Sequence, residues 1–164
     1  MALDIHARML IEQQCTAVCY RAMYCLDTRK ADAFADLLTE DAELISELAS
    51  HRGRENIRAW LGAGRGGNVS RHIITNLHFV DVEEDEAYAI GLNTSLLSTV
   101  GYDEPVFMNA KVFELHDRYR RTDAGWRLRS RHSTLIYGPN DWINWTKERM
   151  AAGRAHSQAS QAPA

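Results

Sequence analysis

The first part of the chain carries apolar residues at helical spacing. They recur at steps of three and four positions over residues 5–26, which predicts one long helix with a core-facing stripe. The stripe consists of Ile11, Cys15, Val18, Cys19, Ala22, Met23 and Leu26. Tyr20, Tyr24 and Asp27 follow its edge at steps of four and three, which predicts that they share a face, with Asp27 at the helix end.

Two shorter apolar segments and a glycine-rich segment come next. Residues 30–38 predict a second helix, and Glu55–Leu61 predicts a third, which follows a turn at Gly53. A strand is expected to begin between these helices, in residues 39–44. Four glycines in residues 62–67 indicate a loop that leads to a strand, whereas a phosphate-binding loop leads to a helix.

Beyond this loop the pattern changes to long stretches rich in β-branched and aromatic residues, separated by turn residues. The four predicted strands are His72–Val82, Ala87–Val100, Val106–Arg121 and Trp126–Tyr137. Helices followed by a meander of long strands predict an α+β domain, with the helices packed on a strongly curved, mainly antiparallel sheet. A curled sheet closed by helices encloses a pocket.

Composition and charge narrow the class of protein. The chain has 164 residues, of which 45% are hydrophobic, and this fits a single domain over residues 1–150, followed by a small polar tail over 151–164 that we expect to be flexible. The net charge of −3 argues against a nucleic-acid partner, which requires a basic surface. No apolar run approaches the roughly 18 residues of a membrane span. We expect a soluble, cytoplasmic protein.

The sequence contains no pattern that calls for a cofactor. The three cysteines all lie in the first predicted helix, where disulfide geometry is poorly met, and we expect them to be buried thiols. The seven histidines are scattered and form no cluster with metal-ligand spacing. No dinucleotide-binding glycine motif is present. We therefore expect neither a metal nor an organic cofactor.

Four segments, in this order, resemble the SnoaL-like branch of the NTF2-like superfamily, whose fold is a cone-shaped α+β barrel. They cover residues 24–42, 52–61, 70–76 and 117–128. Within the superfamily, the pattern is most similar to cofactor-independent lyases of the scytalone-dehydratase-like, bile-acid-dehydratase-like and dehydrochlorinase-like kinds. It also resembles the small β subunit of ring-hydroxylating dioxygenases.

The resemblance to the lyases implies particular catalytic residues. In those enzymes an aspartate at the end of the first helix meets a histidine from a later strand, which implies Asp27 and His72 here. Tyr24 is a candidate acid or oxyanion donor. Dehydrochlorinase-like enzymes place an arginine that stabilises negative charge where this chain has Arg131. Because Arg131 alternates with two other arginines, it could also face solvent, unless a β-bulge turns it.

Further residues are candidates for binding a substrate. The aromatic side chains of Tyr20, Trp60 and Phe107 are available to line a pocket. Asn76 shares a strand face with His72 if the alternation is regular. Polar residues that interrupt an apolar strand face either a pocket or a subunit interface, and here these residues are Asn109 and Lys111.

These residues favour an acid–base dyad. A carboxylate that holds one imidazole nitrogen fixes the tautomer, and the other nitrogen can abstract a proton and return it to a leaving group. The favoured function is a cofactor-independent lyase, by dehydration or related carbon–carbon cleavage or isomerisation, on a hydrophobic, aromatic small molecule. Two alternatives remain open, a dioxygenase β subunit and a ligand-binding NTF2-like module. Asp27 as a plain helix-end residue and His72 as a structural strand residue also remain open.

The predicted sheet also bears on assembly. An open face of a curved sheet would leave apolar surface exposed, which predicts a homo-oligomer, either a trimer or a dimer.

Overall fold

The structure is a computed structural model that describes residues 3–47, 49–63, 69–98 and 109–138. The helices are α1 (Ile5–Thr28), α2 (Ala31–Ala35) and α3 (Arg54–Gly62). The strands are β1 (Leu38–Ser46), β2 (Ser50–Arg52), β3 (Val69–Val82), β4 (Glu86–Ser98), β5 (Asn109–Thr122) and β6 (Gly125–Tyr137). The predicted flexible tail lies outside the described residues, as do the ends of two predicted strands.

Helix α1 packs its predicted apolar stripe into the core. All seven members of the stripe are buried except Leu26, which is partly buried, and all three cysteines are buried thiols. The Asp4 side chain accepts a hydrogen bond from the backbone N–H of His6 and caps the start of the helix. Arg29 takes a left-handed conformation, with φ of 56°, and ends it.

Six strands form one mixed sheet in the order β2-β1-β6-β5-β4-β3. Strands β3 to β6 form the predicted antiparallel meander. The strand expected to begin in residues 39–44 is β1, and it pairs in parallel with β6. Strand β2, which pairs with the other side of β1, was not predicted. The sheet is curved, and among the described residues its edge strands β2 and β3 do not pair, so it does not close into a barrel.

The second predicted helix is wrong in its C-terminal half. Helix α2 ends at Ala35, and β1 already begins at Leu38. Leu37 accepts a backbone hydrogen bond from Leu128 at 2.8 Å, and Leu38 is paired with Leu128 in the ladder. Pairing with β6, which is distant in the sequence, therefore overrides the helical spacing of these leucines.

The core lies between the helices and one face of the sheet, which we call the inner face. This face packs against α1 and is marked by His72 on β3, Ala89 on β4, Asp117 on β5 and Leu128 on β6. The opposite side is the outer face. Within the described ranges, no helix is long and apolar enough to cross a membrane.

Candidate active site

Asp27 and His72 meet where the last turn of α1 crosses β3. Nδ1 of His72 lies 2.6 Å from Oδ1 of Asp27, and the side chain of each residue is 11% exposed. The backbone N–H of His72 donates to Oδ2 of Asp27 at 3.0 Å. The hydroxyl of Ser70 donates to Oδ1 at 3.3 Å. One carboxylate thus receives three hydrogen bonds from a single strand.

The local structure explains how these donors become available. Because β3 lies at the edge of the sheet, the N–H groups along its unpaired edge have no neighbouring strand to which they can donate. Oδ2 of Asp27 accepts a hydrogen bond from one of these groups, the N–H of His72. A carboxylate in the last turn of a helix faces the negative end of the helix dipole, which disfavours its charge. The strand donors, rather than the helix, therefore hold Asp27 ionised.

The pKa of Asp27 reflects the same balance. Burial raises this pKa, but the hydrogen bonds from the side chain and backbone of His72, together with that from Ser70, lower it by more. The net result is a pKa below the ordinary value for aspartate, so Asp27 is an anion at neutral pH.

An anionic Asp27 fixes the tautomer of His72. Since the carboxylate can only accept, Nδ1 of His72 carries the proton and Nε2 bears the lone pair. Among the described residues, Nε2 has no hydrogen-bond partner. The geometry therefore presents an oriented basic nitrogen, supported from behind by a carboxylate, which suits general-base chemistry.

Arg131 lies deeper between α1 and the sheet. Its Nε and Nη2 donate to Oδ1 and Oδ2 of Asp117 at 2.7 and 2.5 Å, and Nη2 also lies 3.2 Å from Sγ of Cys19. Tyr119 donates its hydroxyl to Oδ2 of Asp117 at 2.8 Å. Arg131 is 5% exposed and Asp117 is fully buried. Burial lowers the pKa of Arg131, but the Asp117 carboxylate more than offsets this, so the pKa lies above its usual range.

A β-bulge brings Arg131 to the inner face. Arg118 pairs with Ser130 while its neighbour Tyr119 pairs with Leu128, so Arg129 is an extra residue in β6. The bulge shifts the alternation and separates Arg131 from the arginines that precede it. The contacts with Asp117 give Arg131 a charge-balancing role in the core, and its action on substrate stays a prediction.

The structure describes some of the other predicted site residues. Tyr20 and Tyr24 are 52% and 55% exposed, and the Tyr24 hydroxyl accepts a hydrogen bond from Nζ of Lys30 at 3.4 Å. Trp60 on α3 is partly buried beside the core, and its ring lies 4.6 Å from that of His51 between centroids. Phe107 lies outside the described residues, and Asn109 is described only as the first residue of β5.

Asn76 does not share a face with His72, contrary to the prediction. Thr75 pairs with Leu92 and His78 with Ile90, so Asn76 and Leu77 together oppose Gly91 in a second bulge. Asn76 is exposed and has a left-handed backbone, with φ of 53°. The bulge interrupts the regular alternation on which the prediction depended.

Sequence reasoning did not select Asp117 or Asn93 as site residues, although both are buried on the inner face. Lys111, which the sequence places at either a pocket or a subunit interface, is buried on the same face. Asp117 stands two residues from the apolar residues Leu115 and Tyr119, a spacing that indicates one strand face. This spacing could have identified Asp117 from the sequence as a residue on the buried face of its strand. Within the described part of the chain, no three His, Cys, Asp or Glu side chains group as a metal site.

The match to a family model defines the class of protein. The profile of the SnoaL-like domain matches residues 7–132, and the chain belongs to this family. The match begins within α1, ends within β6 and includes every described element between them. No curated protein gives a significant match to the sequence.

Solved structures of low sequence identity share the fold. A candidate scytalone dehydratase from Novosphingobium aromaticivorans is 16% identical, with a TM-score of 0.72 over 84% of this chain and 91% of that one. A hexachlorocyclohexane dehydrochlorinase of type 3 from Novosphingobium barchaimii is 17% identical, with a TM-score of 0.69 over 83% and 93%. An NTF2-like protein with a cystatin-like fold from N. aromaticivorans is 23% identical, with a TM-score of 0.65 over 80% and 86%. These similarities show an NTF2-like fold.

Proposed function

We propose that this protein is a cofactor-independent lyase that uses Asp27 and His72 as an acid–base dyad on a hydrophobic, aromatic small molecule. The observation that carries the proposal is the 2.6 Å contact between Oδ1 of Asp27 and Nδ1 of His72, which leaves Nε2 as a free base. Family membership supports it, since structures of the same fold include a candidate dehydratase and a dehydrochlorinase. Dehydration and dehydrochlorination are both eliminations, in which a proton and a leaving group are lost.

The dyad supplies both proton transfers of an elimination. Nε2 of His72 removes a proton from carbon, and the charge that develops on the imidazole is balanced by Asp27. The resulting imidazolium then donates the same proton to the departing hydroxyl group. Because one residue serves as base and acid, proton and leaving group depart from the same side of the substrate.

The surroundings favour a weakly polar substrate. Both dyad side chains are largely shielded from water, and Met23 and Cys19 occupy the preceding turns of α1. Exclusion of water strengthens the hydrogen bonds of the dyad and protects a reactive intermediate. The aromatic candidates Tyr20, Tyr24, Trp60 and Phe107 remain proposed contributors to binding.

The test is a mass-spectrometric screen of aromatic alcohols and diols for loss of water, followed by kinetics of the best substrate. We expect His72→Gln and Asp27→Asn to lower kcat by about 10²- to 10⁴-fold, the usual contribution of a positioned acid–base group. A substrate deuterated at the carbon that loses its proton should react more slowly than the unlabelled substrate, because that C–H bond breaks in the reaction.

The matched control is His78→Gln on the same strand. His78 is exposed, and its ring contacts only the carbonyl of Asn76 among the described residues, at 3.2 Å. This variant should keep full turnover. Near-wild-type turnover of both dyad variants would overturn the proposal, and co-purification with a large iron–sulfur subunit would favour the dioxygenase alternative.

A further inference from the structure

Asn93 is a buried amide whose oxygen has no hydrogen-bond partner in the described part of the chain. The residue lies on β4 and is 7% exposed. Its Oδ1 is buried and accepts no hydrogen bond from another described residue. Because a buried polar atom without a partner is both costly and rare, this amide calls for a physical explanation.

The side chains around Asn93 do not supply a partner. Asn93 pairs with Ile74 on β3 and with Phe113 on β5, and directly opposite residues share a face. Both of these side chains are hydrocarbon and carry no donor. On the same face of β4, Gly91 has no side chain, and the hydroxyl of Ser95 makes no hydrogen bond with Oδ1 of Asn93. The oxygen is therefore left for a molecule that is not part of the chain.

Asn93 lies beside His72 on the inner face of the sheet. His72 pairs with Ser95, which comes two residues after Asn93, so Asn93 and His72 are diagonal neighbours on one face. Such neighbours lie about 7–8 Å apart, within reach of one small molecule. His72 points to this face because its Nδ1 contacts Asp27, and its Nε2, free among the described residues, can then only accept. Two uncommitted acceptors thus lie side by side under α1.

We propose that Asn93 is a specificity-determining residue of the site beside His72, where its amide oxygen binds a hydroxyl group of the ligand. Oδ1 requires a donor, which excludes a carbonyl, ether or carboxylate oxygen as its partner, and a hydroxyl group is a small neutral donor. Because the last torsion of asparagine is broad, the amide can turn its oxygen toward a ligand and keep its preferred rotamer. This role rests on the function proposed above for the place of the ligand, and it requires no particular reaction.

The unpaired amide implies that stability is traded for binding. Leucine has nearly the shape of asparagine and no polar atom, so Asn93→Leu should be as stable toward urea as wild type, or more stable, in the absence of a ligand. An asparagine with a purely structural role would give the opposite result, because the groups bonded to it would lose their partner. Urea unfolding of the two proteins distinguishes these roles.

Binding of 2-naphthol and 2-methoxynaphthalene tests the contact without turnover. The two molecules share the ring system and the oxygen, but only the naphthol donates a hydrogen bond. At neutral pH, wild type should bind the naphthol about tenfold more tightly than the ether. Asn93→Leu should lose about tenfold in affinity for the naphthol and should bind the ether as wild type does. Isothermal titration calorimetry measures the four Kd values.

The matched control is Thr94→Val, which removes a hydroxyl group from the next residue of β4. Thr94 pairs with Ile73 and Val112 on the outer face, so its side chain points away from the site. This variant should keep the preference of wild type for the naphthol. A loss of that preference in Thr94→Val equal to the loss in Asn93→Leu would contradict a specific contact with Asn93.

Three further results would overturn the role of Asn93. An equal preference for the naphthol in wild type and Asn93→Leu would mean that only water meets Oδ1. An equal loss of both ligands in Asn93→Leu would mean that the side chain shapes the site and does not bind the hydroxyl group. A clear loss of stability toward urea in this variant would mean that the amide supports the fold.

The function on which this role rests fails by a different measurement. Near-wild-type turnover by His72→Gln and Asp27→Asn would overturn the lyase function, and a preference for the naphthol that depends on Asn93 would then describe ligand binding alone. Turnover that depends on the dyad, without such a preference, would overturn the role of Asn93 and leave the lyase function standing.

Discussion

At the scale of single residues, the Asp27 carboxylate has no spare oxygen. Oδ2 accepts from the backbone N–H of His72, and Oδ1 accepts from Nδ1 of His72 and from Ser70. An asparagine at this position has one oxygen and one NH2 group. The backbone N–H requires the oxygen, so the NH2 group would face the imidazole.

This arrangement makes Asp27→Asn a tautomer switch rather than a simple loss of charge. We expect the NH2 group to donate to Nδ1 of His72 and to move the ring proton to Nε2, which removes the base. Nitrogen-15 NMR of the histidine rings should show the Nδ1–H form in wild type and the Nε2–H form in the variant. The same tautomer in both proteins would contradict this account, and His78 provides the internal reference.

The Asp117–Arg131 pair is a second residue-scale feature, with a role in stability. Arg131→Met leaves Asp117 buried with only the Tyr119 hydroxyl as a donor among the described contacts. We expect a loss of about 3–5 kcal/mol in the free energy of unfolding, because a buried charge without its partner is strongly unfavourable. Urea denaturation measures it.

A surface ion pair is the control for this prediction. Arg120 lies 3.2 Å from Asp41, with side chains 35% and 55% exposed, so Arg120→Met should cost less than about 1 kcal/mol. The double variant Asp117→Leu with Arg131→Met should lose less than the two single variants added together. Additive losses would show that the two buried charges do not depend on each other.

At the scale of secondary-structure elements, the bulge in β3 is held by a close approach between strands. A Cβ atom on Gly91 would lie 3.0 Å from Cδ1 and 3.3 Å from Cα of Leu77. Gly91→Ala should therefore destabilise the fold by about 1–3 kcal/mol, the usual cost of overpacking. Asn76→Gly should be tolerated, since glycine adopts positive φ freely.

A β-branched residue at position 76 tests the backbone conformation of the same bulge. Asn76→Val places a β-branched side chain at positive φ and should cost about 1–3 kcal/mol although the position is exposed. Thermal and urea unfolding of the three variants would measure these effects. Equal stability of Asn76→Val and Asn76→Gly would mean that the bulge relaxes at no cost.

Periodicity predicted the helices and the four-strand meander well, since burial along α1 and alternation along β3 to β6 are local signals. It did not reveal the parallel pairing of β1 with β6, which joins residues far apart in sequence. It also missed the bulges at Arg129 and Asn76, because these extra residues carry no distinctive side chain. For this reason the faces of Arg131 and Asn76 could not be read from alternation.

The sequence likewise predicted one part of the candidate site and not the rest. The pairing of Asp27 with His72 was predicted from family resemblance, and the spacing of either residue alone would not have revealed it. The hydrogen bond between Asp27 and His72 forms because α1 packs against β3. Ser95 on β4 pairs with His72 on β3 and with Lys111 on β5, and the sequence does not encode this register locally.

At the scale of the whole molecule, the outer face of the sheet carries several apolar side chains beside charged ones such as Glu114 and Arg118. Its side chains include Ile73, Ile90, Leu92, Leu96, Val112 and Tyr137. Ile73 is 49% exposed and Tyr137 is 69% exposed, although the inner face is covered by α1. Exposed apolar side chains on one sheet face are typical of a protein–protein contact, and we expect a second copy of the chain to cover them.

Size-exclusion chromatography with light scattering tests this assembly. We expect wild type to have a mass of two or three times the chain mass of 18.6 kDa. Ile73→Glu should shift the mass toward the monomer, because a charge in the contact would be buried without a partner. Ile5→Glu, at a site that is 61% exposed at the start of α1, is the matched control and should leave the mass unchanged. A monomeric wild type, or an Ile73→Glu variant with wild-type mass, would show that the outer face is not the contact between copies.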